Sequence, residues 1–415
     1  VKLTVDSKQC PASWQAKDLG ELCKVISGQH ITAKDYNTEN RGIAYLTGPA
    51  DFGTLYPIIS KWTEFPKKTA LRGDILITVK GSGVGKINIL DAEEVAISRQ
   101  LMAIRAIDVD RDFLYAFLKL QLSFFQGLAN GAAIPGLSRQ DILGLSVPTP
   151  PIAEQKQIVA ILDEAFEGID GAIANTEKNL ANARELFESY LNAIFTRKGD
   201  DWEDKKIKDI SEKVEYGTSA KSSPDGEVPV LRMGNIQNGA LDWSDLVYTD
   251  NQEEIDKYLL KYNDVLFNRT NSAEHVGKTA IYKGEMPAIF AGYLIRIHRK
   301  EDLIDADFLN FYLNSYKARE YGKSVMSQSV NQANINGTKL KDYPIPVPPL
   351  AEQKQIVKKL SRLLAETQRL EAIYQQKLAA LNELKQSILQ KAFSGELTAE
   401  GGDAAVEGAE AIVAA

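Results

Sequence analysis

The 415-residue chain has only two cysteines, Cys10 and Cys23, and three histidines, His30, His275 and His298. None of the histidines stands at metal-ligand spacing from another or from a cysteine, so no zinc site is expected. Two cysteines without a secretory context read as free thiols of a reducing compartment. Long apolar runs are also missing, which excludes a membrane-spanning helix. The opening Val1-Lys2-Leu3-Thr4-Val5-Asp6 has neither an initiator Met nor an apolar core of the kind that marks a signal peptide. A cytoplasmic protein is expected.

Positive charge is not in surplus either. The net charge is −7. By segment it is +2 over residues 1–148, −4 over 149–197, −4 over 198–346 and −1 over 347–415. No segment is a basic arm. A nucleic-acid partner would need local loops or a companion protein to neutralise its phosphates.

Catalytic signatures are absent as well. Gly81-Ser82-Gly83-Val84-Gly85-Lys86 looks like a phosphate loop, but Lys80 stands where the first Gly belongs and Ile87 where Ser or Thr belongs. Lys86 also occupies the third Gly of a dinucleotide fingerprint. Both Pro-Pro pairs lack the preceding acid or amide and the following aromatic of an amino-methyltransferase motif. The chain is expected to be no enzyme by itself, with no metal or cofactor of its own.

What is present is a duplication. Pro150-Pro-Ile-Ala-Glu-Gln-Lys-Gln-Ile-Val159 returns as Pro348-Pro-Leu-Ala-Glu-Gln-Lys-Gln-Ile-Val357, with Glu154 and Glu352 separated by 198 positions. That period is far longer than a solenoid unit. Fainter echoes accompany it: Trp14 with Trp202, Asp74-Ile-Leu-Ile with Asp264-Val-Leu-Phe, Gly85-Lys86 with Gly277-Lys278, and Asp112-Phe-Leu with Asp307-Phe-Leu.

Each repeated phrase follows a proline-rich approach and opens a proline-free stretch, as prolines bar helix upstream and suit its first turn. One apolar stripe reads Leu162, Ala165, Ile169, Ala172, Thr176, Leu180, Ala183, Phe187, Tyr190, Ile194; the other reads Leu360, Leu363, Thr367, Leu370, Tyr374, Leu378, Leu381, Ile388. These spacings predict coiled-coil helices. About 44 residues at 1.5 Å rise make a rod of roughly 65 Å, and the other copy is the obvious antiparallel partner. Ordinary core helices, broken at Gly168 and Gly171, are the alternative. Alternating runs at Ile75–Val79 and Ala288–Ile297 read as strands, and Asp112–Leu122 and Asp307–Leu313 as helices with an Asp cap.

The expected fold class is therefore α+β: two mixed α/β domains, residues 1–148 and 198–346, separated by two long helices that pair as an antiparallel coiled coil, residues 149–197 and 347–397, with a pseudo-twofold internal repeat. The Ala/Glu/Gly-rich residues 398–415 are expected to be disordered.

The two Pro-Pro-Ile/Leu-Ala-Glu-Gln-Lys-Gln-Ile-Val phrases with their long helices, the closing Lys391-Ala-Phe-Ser-Gly-Glu-Leu-Thr398, and Gly73-Asp-Ile-Leu-Ile with its glycine-rich loop resemble the specificity subunit of type I restriction–modification enzymes. The resemblance covers nearly the whole chain. It implies two target-recognition domains, each reading one half of a split double-stranded DNA site, and helices that set the gap between them. It implies two docked modification subunits that bind S-adenosylmethionine and methylate adenine, and two restriction subunits that use ATP and Mg, in a prokaryotic cytoplasm. Half-sites of a pseudo-twofold reader lie about one helical turn, ~34 Å, apart. The competing readings are a coiled-coil scaffold carrying two protein-binding modules without nucleic acid, and a system whose methylation and cleavage share one partner chain.

The first candidates for DNA contact are the loop residues Lys80, Ser82 and Lys86, with their counterparts Arg269, Asn271 and Lys278. The second set is Asn130, Ser138 and Arg139 in the first domain and Ser327, Gln328, Asn331, Gln332 and Asn334 in the second. Asn and Gln can read adenine bidentately, and Arg or Lys guanine. Glu154, Gln155, Gln157, Glu352, Gln353 and Gln355 are the candidates for docking modification subunits.

Overall fold

The computed structural model describes residues 11–81, 83–130, 136–329 and 332–399. Two compact units emerge. One holds the described residues up to Glu177 together with those from Gln376 onward; the other spans Lys178–Gln375.

The first unit is built on a four-stranded antiparallel sheet in the order Cys23–Ser27, Leu101–Ala106, Ile75–Thr78, Ile87–Ile89. A second sheet orders Trp62–Thr63, Ile43–Leu46, Glu94–Ile97 and Thr69–Leu71, with its two central strands parallel. A ribbon pairs Gln15–Asp18 with Ser146–Thr149. Helix Arg111–Leu120 covers the first sheet with Phe113, Leu114, Phe117 and Leu118, all buried. The 3.6-residue period places these on one face. Its cap is Asp110, whose carboxylate accepts from the Asp112 and Phe113 N–H groups at 3.0 and 3.1 Å. The expected cap at Asp112 is corrected by two positions.

The second unit repeats this plan. Ser211–Tyr216, Leu294–Arg299, Val265–Asn268 and Thr279–Ile281 form its four-stranded sheet in the same order. Val228–Leu231 runs parallel to Ile289–Phe290, and Glu203–Lys206 pairs with Pro344–Val347. Asp305, not Asp307, caps helix Ala306–Asn314. The single strand expected over Ala288–Ile297 is two strands, because Gly292 turns the chain and donates its N–H to Thr218 O at 2.7 Å. The second unit also has a three-stranded sheet, Thr270–Asn271, Gln332–Asn334 and Ser327–Ser329.

Both long helices are single elements, Ile152–Thr196 and Leu350–Ser394. Gly168 and Gly171 lie inside the first without interrupting it. In the first unit, Ile158, Leu162, Ala165 and Ile169 of one helix share a core with Leu381, Ile388, Leu389 and Phe393 of the other. Glu154 meets Thr398 and Asp170 meets Lys385, so the segments run antiparallel. In the second unit, Leu191 and Phe195 share a core with Ile356 and Leu360, and Arg184 bonds Glu371 at 3.2 Å. Tyr190 and Leu370, expected in the seams, are exposed.

Cys23 is buried, and burial pushes its thiol up to about 11; Cys10 lies outside the described residues. The expected disordered tail falls outside them from residue 400, while Thr398 at its start bonds Glu154 at 2.8 Å. Among the described residues, no helix is long and apolar enough to cross a membrane, and no group of three His, Cys, Asp or Glu residues could hold a metal ion.

Candidate nucleic-acid interface

Each long helix starts at a latch. Gln155 accepts the Asp110 N–H at 2.8 Å and donates to Pro150 O at 2.8 Å. Gln353 accepts the Asp305 N–H at 2.8 Å and donates to Pro348 O at 2.8 Å and Leu303 O at 2.9 Å. Beside them, Glu154 accepts from Trp14 Nε1 at 3.0 Å and Glu352 from Trp202 Nε1 at 2.9 Å. Gln155 is 1% exposed and Gln353 fully buried. Neither stands on a docking surface, which corrects the expectation for these two; they satisfy peptide groups where the chain enters the helix. Glu154 and Glu352 are half-buried, and Gln157 and Gln355 are exposed.

The glycine-rich loops close two equivalent hairpins. Thr78 N–H donates to Lys86 O and Gly85 N–H to Thr78 O, both at 2.9 Å. Asn268 N–H donates to Lys278 O and Gly277 N–H to Asn268 O, both at 2.8 Å. Gly85 and Gly277 have φ of 85° and 92°, which glycine adopts without a Cβ penalty. A Cβ on Gly85 would also sit 3.0 Å from Leu122 and Phe125. The hairpin is therefore a packed mount for lysines at its ends. Lys80 and Lys86 are exposed. Lys278 is half-buried; burial, and then the Arg319 guanidinium, hold its ammonium below the usual lysine range. Ser82 lies outside the described residues.

Arg269 has partners within its own domain. Its guanidinium lies 4.8 Å over the Tyr216 ring, and Nη1 donates to Gly292 O at 2.9 Å. Asn271 is half-buried, with its Oδ1 accepting from Ser272 N–H at 2.8 Å. Asn130 closes helix Leu122–Asn130. Ser138 caps the short helix Arg139–Leu143 through the Asp141 N–H at 3.1 Å, beside an exposed Arg139. Ser327, Gln328 and Gln332 are exposed on the three-stranded sheet, while Asn334 is turned to Thr270 Oγ1 at 2.7 Å. Asn331 lies outside the described residues.

In the second unit the polar loops converge. Arg232, Gln237, Asn271, His275 and Lys278 line one cleft of about 360 Å³, edged by Asp245. A neighbouring cleft of about 200 Å³ shares His275 and Lys278 and adds Arg319, Asn314, Glu188 and Glu274. Of these, only Asn271 and Lys278 were readable from the sequence as candidates. Arg232, Gln237 and Arg319 carry no motif, and only the fold brings them to the hairpin.

Residues 11–180 and 199–380 match the family described as the type I restriction modification DNA specificity domain. The chain belongs to this family. It carries two specificity domains, and each matched stretch runs into the long helix that follows it. It is 35% identical over 199 residues to a putative type I restriction enzyme MjaX specificity subunit of Methanocaldococcus jannaschii, covering 47% of this chain and 46% of that protein. To the type I restriction enzyme EcoKI specificity subunit of Escherichia coli it is 28% identical over 306 residues, 69% of this chain and 66% of the other. The chain thus spans less than two thirds of the length of either relative. A solved chain from work on the complex assembly and conformational transition of the type I R-M system superposes with a TM-score of 0.76 at 19% identity, over 92% of this chain and 98% of that one. This likeness is one of fold.

Proposed function

We propose that this chain is the non-catalytic DNA-recognition subunit of a type I restriction–modification complex. Its two specificity domains each read one half of a split double-stranded site. The long helices hold two modification subunits, with Gln157 and Gln355 on the docking faces, and two restriction subunits complete the assembly. S-adenosylmethionine, ATP and Mg belong to those partners, and the complex works in a prokaryotic cytoplasm. The exposed Lys80 and Lys86, with Lys278, are the hairpin contacts to DNA.

One observation carries this reading. Two specificity domains whose four-stranded sheets share one strand order stand on one chain, and their loops differ in length and chemistry. A shared frame with divergent loops suits one mode of DNA binding with two different sequences. The acidic total fits a reader whose partners supply part of the positive surface.

Light scattering on the chain mixed with its cognate modification subunit tests the proposal. A complex of two modification subunits to one specificity chain, selective for a split DNA site, is expected. Absence of that complex, or binding indifferent to sequence, overturns it.

A further inference from the structure

The two specificity domains contain the same kind of capped turn with a different residue at the cap. In the first, Leu46 ends a strand opposite Ile97 of its parallel neighbour; in the second, Leu231 ends the equivalent strand opposite Phe290. A short 3-10 turn follows in each, capped by Gly48 in the first and by Arg232 in the second. The last residue of the turn folds back on the cap: Asp51 accepts the Gly48 N–H at 3.3 Å, and Asn235 accepts the Arg232 N–H at 2.8 Å. One backbone device thus carries no side chain in one domain and a guanidinium in the other.

Arg232 Nη2 donates to the Asp245 carboxylate at 3.1 Å and to the Asp245 carbonyl at 3.4 Å. The backbone at Asp245 is anchored separately. Asn235, 3% exposed, donates Nδ2 to Asp242 O and to Asp245 O, both at 2.9 Å. The backbone that carries the carboxylate is therefore fixed independently of residue 232. The side chains are 35% and 89% exposed, and a pair this open adds little to folding. Its effect is to hold the guanidinium in one orientation over the cleft, which reduces the ordering that binding would otherwise require. Across that cleft stand Asn271, His275 and Lys278. A held guanidinium is the group that pairs with guanine O6 and N7.

We infer that Arg232 is a base-reading residue of the second specificity domain, contacting a guanine edge, with Asp245 positioning it and Lys278 taking a backbone phosphate. The inference rests on the recognition role proposed above. Frame conservation with a changed side chain is what distinct half-sites require of a reading position.

The test uses the full chain assembled with its modification subunits, a DNA pool randomised in both half-sites, and sequencing of the bound fraction. The parent complex must select two blocks of bases; if it selects none, the recognition role itself fails. Given that selection, Arg232→Ala removes one guanine preference in one half-site, by roughly tenfold to a hundredfold, and leaves the other half-site intact. Arg232→Lys keeps the charge without the fork and loses the same preference. Asp245→Ala weakens discrimination at that same base pair with no change in thermal unfolding. Lys278→Gln lowers affinity for all sequences alike and reduces the salt slope by about 1. Arg232 variants that keep every preference, or that lose affinity evenly across all sequences, overturn the inference.

Discussion

Gln155 and Gln353 each hold a helix cap on one side and a proline carbonyl on the other, with no exposure to exchange those bonds for water. Gln155→Leu keeps much of the volume and leaves the Asp110 N–H and Pro150 O buried without partners. Each orphaned group costs about 1–3 kcal/mol. A loss of roughly 2–4 kcal/mol in urea unfolding is expected, and a change under about 0.5 kcal/mol would refute the latch. Glu215 supports a pH prediction. Burial pushes its carboxyl up, but hydrogen bonds from Arg296, His298 and Lys213 outweigh that and hold it at about 2, against 4.5 for a free glutamate. A depressed carboxylate contributes stability above its unfolded pKa and loses it as pH falls toward the folded value. At about 1.4 kcal/mol per unit the contribution is roughly 3 kcal/mol. Glu215→Gln should lower stability at pH 7 and approach the parent near pH 2. A deficit that stays constant from pH 7 to pH 2 would exclude charge as the cause.

The long helices were the most legible elements, because a seam at 3–4 spacing and prolines at each entry are local signals that packing reinforces. The ends of those helices were less so. Phe393 packs on Phe113 and Phe117 with ring centroids 5.0 and 5.3 Å away. Phe195, 198 positions earlier, packs on Phe308 and Tyr312 at 5.4 and 5.1 Å. Nothing in the periodicity says which helix end enters which core, since a stripe records a face and not its partner. The caps were misplaced for a related reason: Asp110-Arg111-Asp112 and Asp305-Ala306-Asp307 each offer two candidate carboxylates, and only tertiary closure by Gln155 or Gln353 selects the first. Arg232 and Arg319 were invisible because a lone arginine in a loop has no pattern. Arg269 was visible as a candidate, but its stacking on Tyr216, 53 positions away in sequence, was not. Truncating Phe393 tests the helix end. Phe393→Ala should cost about 3–5 kcal/mol, as for other buried aromatics. The loss should appear in the unfolding of the full chain and in hydrogen exchange at Phe113 and Phe117. An unchanged exchange pattern would mean the helix end is not part of that core.

At the scale of the whole molecule the duplication makes a half-chain a meaningful object. The core of the first unit includes Leu381, Leu389, Ala392 and Phe393, all from the second long helix. A chain ending at residue 197 lacks them, yet it carries Ala183, Leu191, Ile194 and Phe195 at the positions 198 residues lower. These are apolar residues of similar placement, and a second copy of the half can offer them to the first. The exposed remainder of such a core would otherwise leave several large side chains in water, at roughly 1.5–3 kcal/mol each. Two copies paired this way form a closed, self-complementary interface in which each helix end serves its partner. Residues 1–197 are therefore expected to sediment as a dimer. With modification subunits they should bind DNA in which one half-site appears twice as an inverted repeat, because both specificity domains are then the same. Sedimentation together with sequencing of bound DNA decides it. A half-chain that stays monomeric at micromolar concentration, and gives no selective complex with modification subunits, would show that the second long helix supplies something its copy cannot.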